Sequence, residues 1–260
     1  MIIFSAITPH PPLLIPSIGK ENLERVKKTQ ESFKKLEHDL YSAQIETVII
    51  ISPHGPIQME SFSMNLSPEF NINFEDFGDF TSQRELKGDV GLSYKIREHL
   101  ETSTPLQLIS QPNLDHGSGV PAYLFSQNFK FKIIPIYYAG LDLNAHFQFG
   151  RLLQRELQVS KNRIAVIASG DLSHRLTKDA PAGYSPKGAK FDQKLIQCLK
   201  NKDNRSILDM DEKSIHQAGE CGLKSIVILL GILDGISYEP KILSYEAPFG
   251  VGYLTMEFKL

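Results

Sequence analysis

The sequence predicts one α/β domain over residues 1–260, built on a mixed, mostly parallel sheet. Three observations predict it. Apolar runs at 2–7, 48–51, 131–137 and 163–169 read as strands buried on both faces of a parallel sheet. Helical stretches alternate with these runs, the pattern of a βαβ layer architecture. No stretch between them has the composition of an interdomain linker.

In chain order, IIFSAI at 2–7 is the first strand, and Thr8-Pro9-His10-Pro11-Pro12 ends it, because proline removes donors and fixes the turn. Residues 19–41 carry a weak apolar stripe at Leu23, Val26, Phe33, Leu36 and Leu40 and are read as the helix crossing to the strand at 48–51. That strand ends in Ser52-Pro53-His54-Gly55. Residues 58–79 alternate and are rich in Phe, Asn and Ser, so two short strands or a hairpin loop are expected. Phe62, Phe70, Phe74, Phe77 and Phe80, within 61–82, are either a lid or an apolar patch. A helix at 88–101, a strand at 106–109, a glycine-rich loop at 113–119 and a short helix at 120–126 follow. After the strand at 131–137 come a helix at 143–157, the strand at 163–169 and its loop at 170–176. Helices are then expected at 185–199 and 219–233, with a short helix or two turns at 205–215 between them. Residues 238–245 and 251–258 read as a closing antiparallel pair around Pro248-Phe249-Gly250.

Composition sets the class. Of 260 residues, 41% are hydrophobic and 22% charged, which is ordinary for a globular chain with a large core. A net charge of -2 gives no electrostatic footprint for nucleic acid. The longest wholly apolar run, 226–232, is far short of the ~20 residues of a membrane span. No basic region precedes the first strand, so no signal peptide is expected. Two cysteines, Cys198 and Cys221, are too few for a disulfide framework, and a reducing cytoplasm is the expected location.

Three apolar runs end in a histidine: His10, His54 and His174. His116 lies on the glycine-rich loop. Ligands of open α/β sheets bind outside the carboxyl ends of the strands, so equivalent placement of these imidazoles points to one site. His38, His99 and His146 lie in polar helical stretches and are read as solvated. The chain has no phosphate-binding glycine loop, dinucleotide fingerprint or nucleophile elbow. Ser169-Gly170-Asp171 is a weak pattern for a serine hydrolase. Clustered neutral imidazoles then suit a metal, either in the two-histidine, one-carboxylate set of non-haem iron(II) or in a zinc hydrolase. Candidate carboxylates are Asp115, Asp171, Glu220 and Glu246. For Glu220 the competing role is charge complementation of a helix start, and for Asp171 it is helix capping.

The order TPHPPLL, SPHG, LDHGSGVP, ASGDLSH and AGECG before an apolar helix resembles class III extradiol ring-cleaving dioxygenases and the related Memo proteins. The resemblance runs from His10 to the helix after Glu220. It implies a three-layer α/β domain. It implies His10, His54 and Glu220 as ligands of Fe(2+), with Zn(2+) or Cu as alternatives. It makes His174 the catalytic acid/base, oriented by Asp171, and places His116 beside substrate and dioxygen. The implied activity is extradiol cleavage of a small catechol-type aromatic diol by dioxygen, without nucleic-acid or membrane partners and compatible with a homo-oligomer. Two departures bear on it. The chain has no Trp where several aromatic-degrading members have an aromatic residue. Cys221 also stands beside Glu220, and a cysteine stands in this neighbourhood in Memo-like relatives. The Memo-like alternative is a metal-binding protein with a redox, signalling or accessory role. The chain carries both residues, so the choice between Glu220 and Cys221 as the one facing the metal stays open; the resemblance implies Glu220, and the favoured reading of Cys221 is a small core thiol.

Overall fold

The computed structural model describes residues 1–260. Ten strands form one sheet: β1 Ile2–Thr8, β2 Thr47–Ser52, β3 Phe62–Asn65, β4 Glu69–Phe74, β5 Asp79–Gly88, β6 Leu106–Ile109, β7 Lys132–Tyr137, β8 Ile164–Ser169, β9 Glu239–Glu246 and β10 Tyr253–Lys259. The main order is β4-β5-β7-β2-β8-β1-β10-β9, with β3 pairing β6 and β7 off this path. The central run β7-β2-β8-β1 is parallel, whereas β10 pairs antiparallel with β1 and β9. The sheet is therefore mixed and mostly parallel at its centre, as the apolar runs predict. The first crossover, from β1 to β2, passes over β8, a strand supplied much later in the chain.

The helices are α1 Pro16–Gly19, α2 Lys27–Ser42, α3 Val90–Leu100, α4 His116–Phe125, α5 Leu143–Val159, α6 Pro186–Asn201, α7 Asn204–Leu208, α8 Glu212–Ala218 and α9 Leu223–Ile232. They cover both faces. Successive strand residues point to opposite sides, so Ile49, Ile51, Ile134, Val166 and Ala168 pack with α3, α5, α6 and α9, while Val48, Ile50, Ile133, Ala165 and Ile167 pack with α2 and α4. Two cores with the sheet between them make three layers. No helix is long and apolar enough to cross a membrane.

Several boundaries depart from the sequence reading for local reasons. The helix expected from residue 19 begins at Lys27, because Lys20 takes a left-handed φ of 46° and 20–26 winds as a 3-10 turn. The glycine-rich loop holding His116 is helical from His116 onward, since Asp115 caps it by accepting from Ser118 N. The segment 205–215 is two helices, each started by an aspartate cap, Asp203 and Asp211. His146 is not solvated. It is fully buried, its Nδ1 donates to Asp142 O at 2.6 Å and its Nε2 accepts from Ala139 N at 3.2 Å.

Asp192 on α6 gives a testable property of the core. Its carboxylate is fully buried and accepts from Ser173 N at 2.9 Å and Tyr245 Oη at 2.7 Å. Burial pushes its pKa up to about 6, against the opposing pull of those two donors. A carboxyl raised in the fold binds its proton more tightly there than in the unfolded chain, so stability is lost as pH rises from about 4 through about 6. Asp192→Asn is expected to gain roughly 1–3 kcal/mol relative to wild type between pH 4 and pH 7, read from urea unfolding at each pH. A pH-independent difference would contradict it.

Candidate metal centre

The adjacent parallel strands β2, β8 and β1 end at one edge of the sheet, and each delivers part of the site. The turn after β1 carries His10, which is 2% exposed. The turn after β2 carries His54, which opens to solvent. Their Nε2 atoms lie 3.0 Å apart and their rings are nearly perpendicular, with centroids 4.8 Å apart. The third donor is the Sγ of Cys221, 3.6 Å from His10 Nε2. One donor atom from each of His10, His54 and Cys221 lies within 4.8 Å of the others.

Cys221 reaches this position through the connection into α9. Gly219 ends α8 with φ +61°, a left-handed conformation that favours glycine. Glu220 then turns its carboxylate toward α9, where Oε2 accepts from Leu223 N at 2.6 Å. The amides of Cys221 and Gly222 both donate to Asp171 O, at 3.3 and 3.0 Å, and Asp171 N donates to Cys221 Sγ at 3.3 Å. The connection is thereby stitched to the loop after β8. It packs so closely that a Cβ added at Gly170 would lie 2.1 Å from Gly222 Cα. Gly170→Ala is expected to cost about 1–3 kcal/mol of stability, as overpacked sites do, because the obstructing atom is backbone. Denaturant unfolding measures this, and an unchanged midpoint would contradict the close approach.

Two further histidines flank the trio. The ring of His116 stacks on His54 with centroids 4.1 Å apart, and the edge of Phe77 meets it at 5.4 Å. His174 Nε2 is 3.9 Å from Cys221 Sγ. Asp171, on the same loop, is 3.9 Å from His174, too far for a hydrogen bond. Its Oδ1 instead accepts from His10 N at 3.0 Å.

The electrostatics favour neutral imidazoles and raise the acids. Burial, then neighbouring His54, His116 and His174, holds His10 well below the ordinary histidine value. His54, His116 and His174 are lowered too, with burial the first cause in each. Burial raises the Asp171 and Glu220 carboxyls to about 7. It also raises the Cys221 thiol, with help from Asp171 and Glu220. Neutral imidazole is the form that ligates a cation, and a cation is what would draw the thiol proton off.

Of the predicted residues, the fold brings His10, His54, His116 and His174 together. The Glu220 carboxylate is not among the donors gathered with the two histidines and is engaged by Leu223 N; Cys221, favoured as a core thiol, joins them. The other carboxylates have structural work. Asp115 caps α4 and accepts from Ser52 Oγ. Glu246 accepts from Thr29 N at 2.8 Å and Thr29 Oγ1 at 2.6 Å. Of the five phenylalanines in 58–82, Phe62, Phe70 and Phe74 are core, and Phe77 and Phe80 are exposed.

The residues present fit a transition metal. Imidazole nitrogen and thiolate sulfur bind at about 2.0–2.1 and 2.3 Å, which sets neighbouring donors roughly 3–4 Å apart. The 3.0 and 3.6 Å separations fall in that range. His10 is also held by protein groups at its ring and at its backbone, as a ligand should be.

Comparison with known proteins follows the same line. Residues 5–256 match the family described as the catalytic LigB subunit of aromatic ring-opening dioxygenase. Protein CA_C1420 of Clostridium acetobutylicum is 34% identical over 265 residues, covering 97% of this chain and 56% of that protein. The 3,4-dihydroxyphenylacetate 2,3-dioxygenase of Escherichia coli is 26% identical over 145 residues, covering 52% of each chain. The chain thus spans about half the length of the curated relatives it matches. A crystal structure of the uncharacterized protein JW3007 from Escherichia coli K12 superposes with a TM-score of 0.72 at 17% identity, covering 98% of this chain and 99% of that one, a likeness of fold. The family match spans nearly the whole chain and contains every histidine of the site, so this protein belongs to the family of catalytic LigB subunits of aromatic ring-opening dioxygenases.

Proposed function

We propose that the chain is a metal-dependent oxidoreductase whose ion is held by His10, His54 and Cys221. The observation that carries this reading is the placement of Cys221 Sγ, 3.6 Å from His10 Nε2, while the Glu220 carboxylate is engaged by Leu223 N. Two imidazoles and a thiolate suit iron(II) or copper, and zinc by donor type. A bound redox ion would supply electron transfer and Lewis acidity.

The chain's own residues do the rest. Neutral His174, beside Sγ but outside the donor trio, can take a proton from a ligand hydroxyl and return it. His116 can donate to or accept from the same ligand. Phe77 flanks the site at the ring of His116. The two unpaired cysteines suit a reducing compartment, and a cytoplasmic location is part of the proposal.

A second reading keeps the activity in the family's description: extradiol opening of a catechol-type diol by dioxygen, with Fe(2+) held by His10, His54 and Glu220. The family match and the Escherichia coli relative favour it. It requires Glu220 to leave Leu223 N and turn inward. The test loads the protein anaerobically with iron(II), then with copper, and follows oxygen uptake over a catechol panel. Uptake yielding a ring-opened acid, lost in Glu220→Gln but kept in Cys221→Ser, supports the second reading. Metal binding that depends on Cys221, without ring opening, supports the first. A chain that binds none of iron, copper and zinc overturns both.

A further inference from the structure

Ser169-Gly170-Asp171 stands out in the sequence, and the chemistry above gives its serine no role. Ser169 is fully buried at the end of β8. Its Oγ lies 2.9 Å from His10 Nδ1 and 2.5 Å from the carbonyl oxygen of Gly117. A carbonyl can only accept, and a serine hydroxyl has one proton to give. Two oxygens 2.5 Å apart need that proton between them. Ser169 therefore donates to Gly117 and has only lone pairs left for His10. Nδ1 of His10 must carry a hydrogen and donate it, which leaves Nε2 with its lone pair directed at His54 and Cys221. The hydroxyl does a second thing. Gly117 follows His116, so the same oxygen ties the His10 ring to the turn that carries His116.

We propose that Ser169 is a positioning residue that fixes His10 in its Nδ1–H tautomer and so presents a bare Nε2 to a metal ion; the metal part rests on the reading of the preceding subsection. Asp171 acts on the same residue at its backbone by accepting from His10 N at 3.0 Å. Together they hold the ring and the backbone of one residue. A donor to Nδ1 would instead have forced the proton onto Nε2, where it would occupy the position a cation needs. Carboxylates and carbonyls commonly hold the remote nitrogen of a ligating histidine. Here a hydroxyl is made into an acceptor by a carbonyl that takes its only proton.

The test is nitrogen NMR of the histidine rings in the full chain without metal, combined with cobalt(II) titration. Wild type is expected to show His10 with Nδ1 protonated and Nε2 bare. Ser169→Ala is expected to lose that preference and to bind cobalt(II) about 10–100-fold more weakly, the usual effect of removing such a partner. Ser169→Thr, which keeps the hydroxyl, is expected to restore both. Circular dichroism of each variant establishes that it is folded. His10 with Nε2 protonated in wild type overturns the proposal without recourse to any variant. So does a folded Ser169→Ala chain with unchanged tautomer and affinity. A wild type that binds no cobalt(II), yet loses the Nδ1–H form in Ser169→Ala, upholds the positioning role and removes the metal reading on which its purpose rests.

Discussion

Replacing Cys221 by serine is expected to weaken metal binding by about two orders of magnitude. Four ligands of a structural zinc site together supply roughly 10–16 kcal/mol, so one is worth about 3 kcal/mol, or about a hundredfold. A serine hydroxyl is a poor substitute for a thiolate toward a soft or borderline ion. Glu220→Gln is the contrasting variant. Its amide oxygen can still accept from Leu223 N, so affinity is expected to stay within about threefold. Glu220→Ala, which leaves that amide without its side-chain acceptor, is expected to lose about 1 kcal/mol of stability and little affinity. Titration against a competing chelator measures all three. A large loss with Glu220→Gln and none with Cys221→Ser would return the site to two histidines and a carboxylate.

The second large effect is expected at His174. Its Nε2 is 3.9 Å from Cys221 Sγ, and it does not join the group of donors that lie within 4.8 Å of one another. His174→Gln should therefore bind metal about as tightly as wild type. Turnover of the best diol or other reductant found with wild type should fall about 10²–10⁴-fold, the contribution of a positioned proton carrier. The separation of the two effects is the informative part. Loss of metal together with turnover would make His174 a ligand and would contradict its placement outside the trio.

Much of this architecture is legible in the chain because buried parallel strands leave an unmistakable pattern. IIFSAI, TVIIIS and IAVIAS are apolar on both faces, and each ends where the site begins. The histidines are legible for the same reason, since a strand end fixes where a residue lies in space. Strand β5 is not legible. Residues such as Ser82, Gln83 and Arg84 carry no apolar alternation, because only Asp79 and Leu86 of that strand are buried and its register comes mainly from β4. His146 is misread because its helix is polar elsewhere, and only the fold reveals that its ring bonds Ala139 N and Asp142 O.

The distinction between Glu220 and Cys221 lies beyond sequence pattern altogether. The two are adjacent, and both flank a helix start. Which one faces the histidines is decided by Gly219 in its left-handed turn and by two amides donated to Asp171 O. Those are contacts between residues ~50 apart in the chain. Ser169 is similar: nothing near it in sequence announces that its hydroxyl meets both His10 and Gly117.

Whether a thiolate completes the site is tested most directly by X-ray absorption at the iron or copper edge of the loaded chain. A Cys221 ligand predicts one sulfur scatterer at about 2.3 Å alongside imidazole nitrogens, absent in Cys221→Ser. A first coordination shell of nitrogen and oxygen only in the wild-type protein would contradict it.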